Sequence, residues 1–130
     1  MSTILCLDPG TAHTGLAISE EGILVTPLAT IFERNIDQLV GKLTSYLAKI
    51  NPDILVIGVP KHGPLVSFSH LLAKSLEEIY SGEIVLFPED LSSSLARSKM
   101  REAGKTLAKK KRDEHQTAAA IILEDYLDTL

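Results

Sequence analysis

The chain has 130 residues and a net charge of −4, with 45% hydrophobic and 23% charged residues. That describes one globular α/β-sized domain over residues 1–130, too short for a kinase or for two globular units. The lone cysteine, Cys6, excludes a disulfide framework or a zinc finger, and its apolar surroundings suit a reduced thiol in a cytoplasmic protein with no membrane partner.

Thr3 to Leu7 (TILCL) is a short apolar run, broken by Asp8-Pro9-Gly10. Gly15 to Ser19 reads as a second strand. Gly22 turns the chain into Ile23–Val25, and a third strand runs to about Ile31, giving an antiparallel meander. Asn35 opens a helix, with Gln38 placed as in a capping box. Ile36, Leu39, Val40, Leu43, Leu47 and Ile50 form its apolar stripe, and Asn51-Pro52 ends it. Ile54 to Val59 (ILVIGV) is a strand covered on both faces. Phe68, Leu71, Leu72, Leu76 and Ile79 outline a second helix. Ile84 to Phe87 reads as another buried strand, followed by Pro88-Glu89-Asp90. Ser92 or Ser93 caps a short helix from Leu95 to about Ala103. Residues 104–112 are basic and loosely patterned, and a final helix runs from Asp113 to Leu130. This order predicts a mixed five-stranded sheet, a three-strand antiparallel meander plus two parallel strands, flanked by helices.

Charge is unevenly spread. Eight of the thirteen bases lie between Arg97 and Arg112, where Glu102 is the lone acid, so that window carries +7 and the rest of the chain −11. An acidic domain with one basic arm suits a polyanion partner; a solvated surface loop is the plainer reading.

Chemistry-bearing residues gather at the ends of the buried elements. Asp8 follows the first strand, Glu89 follows the last, and Asp113, Glu114 and His115 open the final helix. If the first, fourth and fifth strands run parallel, Asp8 and Glu89 project from one sheet edge, where sites form in open α/β sheets. Two neighbouring carboxylates need a cation, and oxygen donors suit Mg²⁺ or Mn²⁺. The plainer readings are a turn residue for Asp8 and a helix-dipole charge for Glu89. Within DPGTAHTG, Gly10 permits a tight turn, Gly15 lets the second strand start close to backbone, and Thr11 and Thr14 offer hydroxyls to a phosphate. Gly104-Lys105-Thr106 is no P-loop, because position 99 is Lys rather than Gly.

Asp8, Gly10 and Gly15 (D-x-G-x-x-x-x-G), Gly58-Val59-Pro60, PEDLSS from Pro88, and HQTAAAIILEDYL from His115 occur in an order and spacing that resemble the YqgF/RuvX family. Its members are RNase H-like nucleases described as pre-16S rRNA nucleases or Holliday junction resolvases. The resemblance spans nearly the whole chain and implies an RNase H-like fold. It implies that Asp8 and Glu89 are catalytic metal ligands, and that the family's third acid falls on His115. The chain departs from the pattern there. Imidazole binds Mn²⁺ better than Mg²⁺. Some RuvC-type relatives carry His on this helix, and Asp113 or Glu114 is the alternative carboxylate. Pro88 also stands where the family has an acid, Asp90 where it has an arginine, and the loop after Pro60 is shortened. The implied function is a Mg²⁺- or Mn²⁺-dependent endonuclease that matures the 5′ end of pre-16S rRNA. Resolution of branched DNA is the alternative. An obligate homodimer would favour the junction, a monomer the rRNA precursor. Arg97, Arg101, Lys109, Lys110, Lys111 and Arg112, with Thr11 and Thr14, would hold the nucleic-acid backbone. Two other classes stand beside this reading. One is a nucleic-acid-binding module without catalysis. The other is an actin-like nucleotide-binding fragment, which needs two lobes that 130 residues cannot supply.

Overall fold

The computed structural model describes residues 2–89 and 107–130, with side chains from Glu114 onward in the second segment. The strands are β1 (Ile4–Pro9), β2 (His13–Ser19), β3 (Thr26–Phe32), β4 (Ile54–Val59) and β5 (Glu83–Pro88); the helices are α1 (Ile36–Ile50), α2 (Pro64–Glu77) and α3 (Leu107–Asp128). The sheet order is β3-β2-β1-β4-β5. β1 pairs antiparallel with β2 and parallel with β4, and β5 runs parallel to β4. This is the mixed five-stranded sheet expected from the chain order.

Alternation along β1 decides the layers. Leu5 and Leu7 join Leu16, Leu55 and Ile57 against Leu39, Leu43 and Leu47 of α1 and Leu72 and Leu76 of α2. Ile4 and Cys6 point to the other face, with Ala17 and Val56, against Ala119, Ile122, Leu123 and Tyr126 of α3. Both faces of the central strands are covered, which is why they read as unbroken apolar runs. Asp53 locks the starts of β1 and β4 together: its carboxylate accepts from the Thr3 N–H at 2.9 Å, and its own N–H donates to the Thr3 carbonyl at 2.8 Å.

Several boundaries differ from the sequence expectation. Ile23 and Leu24 are not in a strand, and Leu24 is 80% exposed; β3 starts at Thr26. β5 is half-exposed rather than buried, because it is an edge strand with β4 as its one neighbour among the described strands. The capping box at α1 is split. Asn35 Oδ1 accepts from the Gln38 N–H at 3.1 Å, but the Asn35 N–H donates to Glu33 Oε1, not to Gln38. That bond, with Lys42 at 3.2 Å, holds the Glu33 pKa below the usual carboxylate range. At the other end Asn51 takes φ 48° and its N–H caps the Leu47 carbonyl at 2.8 Å, as the Asn-Pro ending implies. The last helix begins at Leu107, not Asp113, so Lys109 to Arg112 are helical and His115 is not a helix-start residue. The expected short helix at 95–103 lies outside the described residues. No described helix is long and apolar enough to cross a membrane.

Candidate active site

Asp8 lies inside β1, opposite Gly15 of β2, and is only 8% exposed. It is therefore not a turn residue. The odd–even alternation turns it to the α3 face, as with Cys6. Glu89 follows β5, and its N–H donates to the Val59 carbonyl at 2.9 Å, carrying the β4–β5 ladder past Pro88. β1 and β5 flank β4, so the two acids start about two strand spacings apart, roughly 10 Å. Gly58 of β4 sits between them. A Cβ there would meet Glu89 Cγ and Oε2 at 3.3 Å and Ile122 Cδ1 at 2.9 Å. Its missing side chain is the space into which Glu89 folds, and there the two carboxyl groups come within hydrogen-bonding reach of each other.

A hydrogen bond between two carboxyl groups requires a proton. Burial, then the hydrogen bond and charge of Glu89, push the Asp8 pKa well above the usual carboxylate range. Beneath the pair, Cys6 is fully buried. Burial first, and then Asp8 and Glu89, raise its thiol pKa, so it stays neutral and is no nucleophile. Two hard oxygen donors that must share a proton when no cation is bound are a fitting set for Mg²⁺ or Mn²⁺.

His115 goes elsewhere. A Cβ on Gly15 would collide with the His115 carbonyl, so the glycine lets α3 lie directly on β2, across from Asp8. The imidazole stacks on His13, with ring centroids 4.6 Å apart and planes 7° apart. His13 in turn meets Phe32 edge-on at 5.0 Å and 78°. Burial, then His13, lower the His115 pKa, partly offset by Glu114, which favours a neutral ring. Among the described residues no three His, Cys, Asp or Glu side chains form a metal-binding group. Sequence order could not show this, because the stack depends on how β2, β3 and α3 meet.

The remaining expected contacts divide. Thr11 is exposed in the β1–β2 turn at the same sheet edge. Thr14 pairs with Pro9 and is fully buried on the α1/α2 face, the side of the sheet away from Asp8, so it cannot offer its hydroxyl to a phosphate there. Arg97 and Arg101 lie outside the described residues. Lys109, Lys110, Lys111, Arg112 and Asp113 fall in the first turns of α3, where the backbone alone is described. Sequence reasoning did not place Gly58, His13 or Phe32 beside these residues. A glycine inside a strand was the available signal for the first; the other two need the His13–Phe32 register.

The profile of the RuvX family, described as Holliday junction resolvase, matches residues 2–129. This chain belongs to the RuvX family. Members similar to it include candidate pre-16S rRNA nucleases of Bacillus pumilus, 35% identical over 98% of this chain and 98% of that one, and of Chloroflexus aggregans, 33% identical over 97% and 93%. Thermus thermophilus RuvC, solved with a Holliday junction substrate, superimposes with a TM-score of 0.65 at 14% identity, over 98% of this chain and 94% of that one. The likeness shows that this RuvX chain has the RNase H-like fold.

Proposed function

We propose that this RuvX chain is a divalent-metal-dependent nuclease whose substrate is the 5′ end of pre-16S rRNA precursors. The observation that carries the reading is the Asp8–Glu89 carboxyl pair, brought together across Gly58 at the edge where β1, β4 and β5 end. Asp8 and Glu89 are the proposed holders of Mg²⁺ or Mn²⁺. A bound cation would polarise the scissile phosphate, lower the pKa of an attacking water and steady the leaving oxygen.

The chain's own groups shape the rest. Burial of Asp8 keeps its carboxyl in a low-dielectric setting, where charge interactions are strong. Neutral Cys6 and Ile122 close the floor of the site against water. Thr11 stands at the open rim as a hydroxyl for a phosphate oxygen. The basic positions Arg97, Arg101 and Lys109 to Arg112 supply charge for backbone contacts. The names of the curated relatives favour the rRNA substrate. Branched DNA is the second reading, favoured by the description of the family profile.

The test is a cleavage assay on a pre-16S leader RNA and on a four-way DNA junction, with Mg²⁺, Mn²⁺ or EDTA. The wild type should cut the RNA only with metal, and Asp8→Asn should fall to background. Junction cleavage alone would select the second reading. Equal background in both proteins, with binding retained, would leave a binding module without catalysis.

A further inference from the structure

We infer that Phe32 is a stacking platform for an unpaired nucleobase, backed by His13 and His115, and that the substrate strand reaches the Asp8–Glu89 pair with a base extruded or single-stranded. This deepens the nuclease reading and rests on it for the identity of the ligand.

Three observations support the platform. First, its position is dictated by register. β1 and β5 end, β2 begins and β3 ends at one sheet edge, because β2 runs back along β1 and β3 back along β2. His13 and Phe32 are direct cross-strand partners at that edge. They stand just past the row that joins Asp8 to Gly15 and Gly15 to Thr30. One nucleic-acid strand is long enough to lie on both places.

Second, the ring is held yet open. Phe32 is 60% exposed although it ends a strand whose preceding residue, Ile31, is buried. A large apolar ring in water is ordinary when it stands alone. This one is held from two other elements: His13 of β2 meets it at a steep angle, and His115 of α3 stacks on His13. Such backing cuts the ordering cost of a stacked partner. A held aromatic ring that stays open to water suits any base, since every base has a π-face.

Third, the surroundings suit a phosphodiester strand. Lys42 is held at the end of β3, donating to the Phe32 backbone carbonyl at 3.3 Å and pairing with Glu33 at 3.2 Å. Arg34 is exposed just after it. Aromatic rings beside cations are the usual means of holding single strands without reading sequence. A base inside a regular duplex presents no free face, so the platform selects frayed, looped or single-stranded substrate.

The experiment measures binding in EDTA with the full-length protein, so that cleavage plays no part. The probes are a 2-aminopurine-labelled single-stranded RNA and a blunt RNA duplex of the same length. Phe32→Ala should weaken single-strand binding by about tenfold or more. It should abolish the 2-aminopurine quench and leave duplex affinity and Tm unchanged. Phe32→Trp should restore both affinity and quench. Equal single-strand affinity in Phe32→Ala and wild type would overturn the inference. So would equal losses for single strand and duplex, which would mean a general backbone contact. If the quench depends on Phe32 but Asp8→Asn cleaves like wild type, the nuclease reading fails and the platform stands.

Discussion

Asp8 carries the main tension in the molecule. Burial and Glu89 raise its pKa, so the folded chain holds a proton there more tightly than the unfolded chain does. The stability linked to that proton is fully present below the ordinary Asp value, and it is lost as pH rises through the raised folded value. Above the ordinary Asp value the metal-free fold therefore bears the cost of placing a second carboxylate charge beside Glu89. Asp8→Asn removes that charge and can still donate to Glu89. Its Tm in EDTA should exceed that of the wild type by a few degrees, the scale of about 1 kcal/mol for a domain this size. The gap should widen from pH 4 to pH 8. Thermal melts across that range check it, and a gap that narrows with pH would contradict the assigned direction. The carboxyl positions themselves were legible in the sequence, because each follows an apolar run. Their meeting was not, since it depends on Gly58 leaving room on the strand between them.

Among the elements, α3 matters most for the site, and Gly15 sets its distance from the sheet. Any side chain at Gly15 would strike the backbone of α3 at His115, which cannot swing aside as a rotamer can. Gly15→Ala should therefore cost at least about 2 kcal/mol, towards the upper end of overpacking penalties. It should also lift the His115–His13 stack. Urea unfolding midpoints read the first effect, and imidazole chemical shifts in NMR spectra read the second. An unchanged midpoint would mean that α3 does not rest on β2 as described. The stripe of α1 and the continuous run of β4 were readable from period and length alone. The start of α3 was not. The run AKKKRDE has too little apolar pattern to mark a helix, and its structure is set by continuity with the apolar turns that follow. Equally, the apolar residues Ile23–Val25 read as strand, yet β3 begins only at Thr26, in register with Ile18.

Across the whole molecule, charge and fold divide the work. The bases between Arg97 and Arg112 give +7 in a chain that is otherwise −11, so attraction to a polyanion must be concentrated there. Affinity for RNA should fall at least about tenfold between 50 and 200 mM salt, as expected when several phosphates are neutralised. A flat response would remove the basic window from the contact surface, and filter-binding titrations across that range decide it. By itself the sequence determined the order of elements, the two carboxylates at strand ends and the family to which the motifs point, because these follow from local pattern and spacing. Tertiary structure alone decided which acids touch, that Thr14 faces away from them, and that His115 joins His13 and Phe32. Those outcomes depend on strand register and on how closely a helix approaches the sheet, and both are set by contacts between residues far apart in the chain.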